Sequence, residues 1–184
     1  MLVVSDVYTL PDLLARAVNE HPDSDIVVFP NSRTTFTELY ERASKAARSL
    51  KAIGIKQGDS VGILMSNCIE FVDLLLGSQL IGAIPVPINA RYKAKELAYV
   101  IDDAGLKVLA TTDRIVEHVD FVNLLQEAFP DLENQADPMR LELSEARNLN
   151  SIILFGERMP TGMLDTETFE TLSKNIDEEA IEIS

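Results

Sequence analysis

The chain has 184 residues, a length typical of one α/β domain, and its 46% hydrophobic and 25% charged residues exclude disorder along the whole chain. Its formal net charge of −14 excludes nucleic-acid binding through phosphate neutralisation, which needs a basic surface. The sequence contains no uninterrupted apolar run of about 18 residues, and its N-terminus has no basic start. It therefore predicts a cytoplasmic protein without a transmembrane segment.

The charges are distributed unevenly along the chain. Residues 131–184 contain 13 acidic and 4 basic side chains, which leaves a net charge of only −5 for the first 130 residues. The segment 131–150 is therefore predicted to be an acidic loop region, either a solvated surface or a linker, with a possible short helix. The single cysteine, Cys68, excludes an intramolecular disulfide, and one cysteine with two histidines gives no zinc-binding spacing.

Three short segments begin the predicted structure. Residues 11–20 predict a helix that starts at a proline and carries its apolar side chains on one face. Residues 26–29 and 33–36 are strand-like, and the Pro-Asn-Ser sequence between them is typical of a turn. Together they predict a β-hairpin.

A long amphipathic helix is predicted next. Thr37 is predicted to cap it, because a threonine hydroxyl can accept a hydrogen bond from a free amide of the first turn. Apolar residues then recur every three or four positions up to Ile53, which gives one apolar stripe. Gly54 suits the left-handed conformation that commonly ends a helix.

The following strand and helix are predicted to be buried on more than one side. Residues 61–65 form an uninterrupted apolar run, as in a strand inside a parallel sheet. Asn67 and Glu70 have the spacing of a capping box, which predicts a helix from about Cys68 to Ile81. This helix has almost no polar face, so more than one layer must cover it.

The rest of the chain repeats this alternation. Residues 84–88 contain two prolines, whose missing amides restrict the segment to a sheet edge, a strand end or irregular chain. The remaining predicted elements are helices at 94–104, 115–129 and 166–174 and strands at 107–112 and 151–155. Strands that alternate with helices predict an α/β fold with a layered, mostly parallel sheet and flanking helices.

Motifs of common nucleotide-binding and hydrolytic sites are missing from the sequence. No two glycines lie two residues apart and no Gly-Lys pair occurs, which excludes the dinucleotide fingerprint and the P-loop within these residues. A Gly-x-Ser-x-Gly elbow is also missing.

Five polar side chains have both a functional and a structural interpretation. His21 and His118 are predicted to be solvated or packed. Asp102 and Asp103 could accept a metal or a phosphoryl group only at the end of a strand, whereas the pattern places them late in a helix and facing solvent. Cys68 at a helix start could be a reactive thiol of lowered pKa, and the alternative is a small packed cysteine.

Four ordered motifs then connect the chain to a known family. They are TFTEL, GIKQGDSVGI, NCIEF and GAIPVPIN. Together with their spacing, they resemble the N-terminal part of acyl-CoA synthetases, in the adenylate-forming superfamily that also contains luciferases and peptide-synthetase adenylation domains. The resemblance is clear from about Thr9 to Asp113 and weaker beyond.

The resemblance implies an ATP-dependent ligase that adenylates a carboxylic acid, with a fatty acid as the expected substrate, and transfers the acyl group to the thiol of coenzyme A (CoA). It implies ATP, Mg²⁺ and CoA as cofactors. In that family the phosphate-binding loop and the C-terminal domain with its catalytic lysine lie downstream of the matched region. Residues 1–184 are therefore expected to form one partial domain that holds none of these cofactors alone and is inactive in isolation.

One site residue follows from the resemblance. Several acyl- and aryl-CoA ligases have an arginine after the VP-x-N block that contacts the phosphate of the CoA nucleotide, and Arg91 in PINARYK occupies that place. A guanidinium fork can bind phosphate bidentately, and Lys93 and Lys95 add positive charge. The alternative is a solvated basic helix start. No catalytic residue or metal ligand is assigned.

Two other functions stay open: a complete, non-catalytic binding or interaction module of the same fold, and a peptide-synthetase adenylation domain, whose corresponding segment usually reads nearer to AYVPLDP. A reading frame that continues past Ser184 into a Ser/Thr/Gly-rich loop ending in lysine would favour the ligase, and a stop codon there would favour the module. If the chain is a fragment, apolar surface near the helix at 68–81 is expected to be exposed and to drive self-association.

Overall fold

The computed structural model describes residues 9–114 and 119–181. Its helices are α1 (Leu10–Glu20), α2 (Phe36–Ala52), α3 (Ile69–Leu80), α4 (Ala94–Asp103), α5 (Phe121–Ala128) and α6 (Thr166–Leu172). Its strands are β1 (Asp25–Phe29), β2 (Ser32–Thr35), β3 (Ser60–Leu64), β4 (Ile84–Pro87), β5 (Leu106–Thr112), β6 (Ser151–Phe155) and β7 (Leu164–Asp165). Short 3₁₀ helices lie at Pro130–Asn134, Ser173–Asn175 and Glu178–Ile181.

Five of these strands form one parallel sheet in the order β4-β3-β5-β6-β7. The strands β1 and β2 form a separate antiparallel hairpin, as predicted. The proline-containing strand β4 lies at a sheet edge. A proline is tolerated there because an edge strand pairs with a neighbour on one side only, so its missing amide interrupts no pairing inside the sheet. The predicted fold class, a mostly parallel sheet with flanking helices, is confirmed.

Helices cover both faces of the sheet. Leu109 of β5 packs with α4 and α5, whereas its neighbour Val108 packs with α2, α3 and α6. Adjacent residues of a strand point to opposite faces, so an uninterrupted apolar strand requires a layer on each side. This is the arrangement that the uninterrupted apolar run at residues 61–65, which overlaps β3, predicts.

Helix α3 is covered on two sides, because it lies between the sheet and a smaller cluster. Leu74 belongs to the core below the sheet, and Leu76 packs with α1 and α2. Every residue of α3 is buried or half-buried. The helix itself therefore does not provide the exposed apolar surface that was expected near it. The exposed large apolar side chains lie outside it, at Leu10, Leu13, Ile26, Val28, Ile84, Tyr99, Met139 and Met159.

The predicted cap of α2 is wrong by two residues. Thr35 is the N-cap: its hydroxyl accepts a hydrogen bond from the Glu38 amide at 3.3 Å, and the Glu38 carboxylate accepts one from the Thr35 amide at 2.9 Å. Thr37 instead donates its hydroxyl to the carbonyl of Pro22 at 3.1 Å. Only Thr35 has a glutamate three residues later, which is the spacing that a reciprocal cap requires.

The predicted capping box of α3 is also wrong. Cys68 is the N-cap residue and makes no side-chain capping bond. Glu70, the expected partner of Asn67, instead accepts a hydrogen bond from Arg114 at 2.9 Å, because Arg114 lies just beyond the end of the neighbouring strand β5. The tertiary ion pair replaces the local cap.

The acidic segment 131–150 is part of the core. After its 3₁₀ helix it contains no further helix or strand, so the loop prediction describes its backbone, and its acidic side chains are exposed. It is not a linker, because five of its apolar side chains pack in one core cluster with α4, α5 and the sheet. These buried residues are Leu132, Leu141, Leu143, Ala146 and Leu149.

Among residues 9–114 and 119–181, no helix is both long and apolar enough to cross a membrane.

Candidate functional site

Arg91 lies in the loop between β4 and α4, at the carboxyl end of a parallel strand. Its backbone amide donates to the Asn89 side-chain oxygen at 3.0 Å, which forms a local turn. Two residues later, the Lys93 amide donates to the Glu96 carboxylate at 2.9 Å at the start of α4. The backbone on both sides of Arg91 is therefore held, while its side chain is exposed. Ligands of parallel α/β sheets bind at this edge.

Arg91 and Lys93 line a surface cleft of about 350 Å³, which we call the Arg91 cleft. Among the described residues, the other polar side chains of its lining are Tyr92 and three side chains on or just before α5: Asp120, Asn123 and Glu127. The cleft thus combines two cations with two carboxylates and an amide. Carboxylates in such a lining weaken the binding of an anion unless a cation pairs with them.

A second arginine neutralises one of them. Arg158, from the loop after β6, donates to both carboxylate oxygens of Asp120 at 2.9 and 3.0 Å and to the Asn123 side-chain oxygen at 3.2 Å. Asp120 also caps α5, because its Oδ1 accepts a hydrogen bond from the Asn123 amide at 3.0 Å. One carboxylate therefore joins the start of α5 to the loop after β6.

Asp113 fixes the loop that carries Arg158. Its Oδ2 accepts hydrogen bonds from the amides of Glu157 at 2.7 Å and Arg158 at 2.8 Å. Gly156 passes so close that a Cβ atom there would lie 2.0 Å from Asp113 Oδ1. The carboxyl ends of β5 and β6 are thereby held together, and only glycine fits at position 156.

A small cavity of about 70 Å³ between α2, α3 and α6 contains a separate charge cluster. Arg42 donates to both carboxylate oxygens of Asp73, with a shortest distance of 2.6 Å, and Lys45 pairs with Glu170. Burial raises the pKa of Asp73 above its ordinary value, although the bonds from Arg42 oppose the shift. These pairs link the three helices and give no sign of catalysis.

The other polar candidates have structural roles or lie outside the described residues. Asp102 and Asp103 are exposed at the end of α4, as predicted, and His21 is exposed after α1. His118 and residues 115–118 of the predicted helix 115–129 lie outside the described residues. No group of three His, Cys, Asp or Glu side chains that could hold a metal ion occurs in the part of the chain that the structure describes.

Cys68 is a packed cysteine. It is buried, with its sulfur 3.9 Å from that of Met65, and burial raises the pKa of its thiol to about 11. The hypothesis of a lowered pKa and a reactive thiol is wrong. Burial raises the pKa of the thiol more than the position at the start of a helix lowers it.

Alkylation of Cys68 is expected to be slow in the folded protein. With a pKa of about 11, the thiolate fraction at pH 8 is about a hundredfold below that of an unperturbed cysteine, and burial slows access further. The rate of iodoacetamide labelling, followed by mass spectrometry, should rise with pH up to about 11. The chain unfolded in urea is the control, and equal rates for folded and unfolded chains at pH 8 would contradict the assignment.

Comparison with known proteins gives the family of the chain and the relatives of its fold. Residues 14–160 match the family described as AMP-binding enzyme. The chain belongs to this family.

Relatives of this AMP-binding enzyme chain are much longer than it is. The putative acyl-CoA synthetase YngI of Bacillus subtilis is 30% identical over 178 residues, which cover 95% of this chain and 32% of YngI. The long-chain-fatty-acid–CoA ligase FadD13 of Mycobacterium tuberculosis is 40% identical over 77 residues, which cover 42% of this chain and 15% of FadD13. The chain spans about a third or less of the length of these relatives.

Solved structures share the fold of this AMP-binding enzyme chain. The anthranilate CoA ligase AuaEII superposes with a TM-score of 0.73 at 23% identity, over 93% of this chain and 29% of that chain. The N-terminal domain of FACL13 from Mycobacterium tuberculosis has a TM-score of 0.68 at 22% identity, over 94% of this chain and 37% of that chain. At these identities the likeness concerns the fold.

Sequence reasoning pointed to Arg91 but missed the residues that line and support its cleft. Asp113 and Arg158 each follow a predicted strand, so the rule that carboxyl ends of parallel strands meet at one edge could have grouped them. Asp120 was hidden inside the predicted helix 115–129, whereas it caps a helix that begins at Phe121. An aspartate directly before an apolar segment is a typical signal for the start of a helix, and this signal could have identified Asp120 as the cap.

Proposed function

We propose that these residues form part of the N-terminal scaffold of an ATP-dependent acyl-CoA ligase. Such an enzyme adenylates a carboxylic acid and then transfers the acyl group to the thiol of CoA. Membership of the AMP-binding enzyme family, through residues 14–160, carries this proposal. The similarity to the putative acyl-CoA synthetase YngI and the long-chain-fatty-acid–CoA ligase FadD13 supports it, and the second of these favours a fatty acid as the substrate.

The cofactors of the proposed reaction are ATP, Mg²⁺ and CoA. In the resembled family, the triphosphate of ATP and the metal are bound by segments that lie outside the matched region, and we propose the same division here. The contribution of this chain is the parallel sheet, its covering helices and the Arg91 cleft.

Within this function, we propose that the Arg91 cleft binds the phosphate monoester of the CoA nucleotide. Three features support the role: Arg91 is exposed, it lies at the carboxyl end of β4, and Lys93 lines the same cleft. A guanidinium and an ammonium together suit a phosphate dianion, because charge-assisted hydrogen bonds are the strongest that side chains make.

Replacing Arg91 by alanine is expected to weaken CoA binding about tenfold or more, because charge-assisted bonds to the phosphate are lost. Binding of dephospho-CoA, which lacks this phosphate, should change little. Calorimetry on the protein encoded by the complete native reading frame measures both affinities. Lys95→Ala is the matched control, since Lys95 is exposed on α4 but outside the lining of the cleft. Unchanged CoA affinity in Arg91→Ala would remove the assignment.

The isolated 184-residue chain is expected to form no thioester from ATP, CoA and a fatty acid. The chain spans only 32% of YngI, and the resembled family places the triphosphate-binding loop and the catalytic lysine elsewhere in its sequence. Mass spectrometry of the reaction mixture checks this. Acyl-CoA above the level of a no-protein control would show that the chain suffices.

A further inference from the structure

We infer that Arg158 is a positioning residue that sets the anion affinity of the Arg91 cleft by neutralising Asp120 in its lining. The inference rests on the proposed phosphate-binding role of that cleft and goes beyond it, because Arg158 itself does not line the cleft. It concerns the preference of the cleft for a phosphate monoester over an uncharged group.

The Arg158–Asp120 pair has the geometry of a specific, partly desolvated ion pair. Two bonds reach the carboxylate and one reaches Asn123, all between 2.9 and 3.2 Å. The Arg158 side chain is 41% exposed and that of Asp120 only 23%. The pair is therefore less screened than an ion pair between two fully exposed side chains.

The position of Arg158 is determined by other residues. Asp113 accepts hydrogen bonds from the amides of Glu157 and Arg158, and Gly156 leaves room for the Asp113 carboxylate. The guanidinium therefore starts from a fixed backbone and reaches Asp120 from the side of β6. A residue held in this way can orient its target without touching a ligand.

Loss of Arg158 would change the charge balance of the cleft. Among the described residues, the charged side chains that line it are Arg91, Lys93, Asp120 and Glu127. With Arg158 bound, a guanidinium outside the lining opposes the charge of Asp120, so this carboxylate competes less with an anion for the cations of the cleft. Without Arg158, the Asp120 charge is unopposed and competes with a phosphate for the same cations.

A double-mutant cycle with Arg158→Met and Asp120→Asn tests the inference in the protein encoded by the complete native reading frame, with CoA and dephospho-CoA as probes. Arg158→Met should weaken CoA binding about threefold to tenfold and leave dephospho-CoA binding unchanged, as a charge at cleft distance implies. Asp120→Asn should tighten CoA binding, and asparagine still caps α5. The double variant should bind CoA within about twofold of the original protein, because the unopposed charge is gone.

Two results would overturn the inference alone: CoA affinity unchanged in Arg158→Met, or a double variant as weak as Arg158→Met, which would make the role of Arg158 merely structural. Failure of the proposed phosphate site is a different result, in which Arg91→Ala binds CoA as tightly as the original protein. That outcome removes the site and this inference together, whereas an effect of Arg91→Ala without one of Arg158→Met removes only the inference.

Discussion

Replacement of Gly77 by valine is expected to destabilise the protein by about 3 kcal/mol or more. Gly77 lies on α3 where this helix packs against α2, and a Cβ atom there would lie 2.8 Å from the Ala43 carbonyl oxygen. It would also lie 3.0 Å from the Ala46 Cβ and the Ala47 amide nitrogen. Two of these three atoms are backbone, so the helices must separate to admit any side chain.

The sign of this effect distinguishes close packing from helix propensity. In an open helix, replacing glycine by alanine stabilises by about 1 kcal/mol, so Gly77→Ala would be favourable if nothing lay nearby. We expect Gly77→Ala to destabilise, by less than Gly77→Val. Urea unfolding followed by circular dichroism measures both, with Glu41→Val on the exposed face of α2 as a control that should change stability little. Stability of Gly77→Val equal to that of the original chain would contradict the packing of α2 on α3.

Replacement of Leu132 by alanine is expected to cost about 2–4 kcal/mol of unfolding free energy, because it deletes a fully buried side chain and leaves a cavity. Leu132 packs in the core with α4 and α5, although it lies in the acidic segment 131–150. A solvated loop would predict almost no effect.

The neighbouring Glu133 provides the control for this change. It is exposed in the same 3₁₀ helix, so Glu133→Ala should alter stability by less than about 0.5 kcal/mol. Urea unfolding of both variants measures the difference. Equal stabilities for Leu132→Ala and Glu133→Ala would mean that the segment does not belong to the core.

The sequence predicted the sheet well because its signals are local and strong. An uninterrupted apolar run identified β3, strand-like segments identified β5 and β6, and Gly54 and Gly105, both with positive φ, mark the ends of α2 and α4. Strand β7 was missed because two residues carry no periodic pattern. The prediction of the α3 cap failed because a residue distant in sequence, Arg114, binds Glu70 in place of the predicted local partner.

The acidic segment and the cleft were predicted less well for a related reason. Exposed carboxylates dominate the composition of residues 131–150, and this charge predicted a solvated loop or a linker. The leucines of the segment, which are buried, were therefore not recognised as core residues. In the cleft, Arg91 came from family resemblance, whereas the contact between Arg158 and Asp120 joins residues 38 positions apart. Strand order brings these two together, and strand order cannot be deduced from local periodicity.

The most direct test of the proposed function is product analysis on the protein encoded by the complete native reading frame, incubated with ATP, Mg²⁺, CoA and fatty acids. The predicted result is acyl-CoA with equal amounts of AMP and pyrophosphate, because adenylation of the carboxylate releases pyrophosphate and thioester formation releases AMP. Release of ADP and phosphate, or failure to form a thioester with any aliphatic or aromatic carboxylic acid, would contradict the proposal.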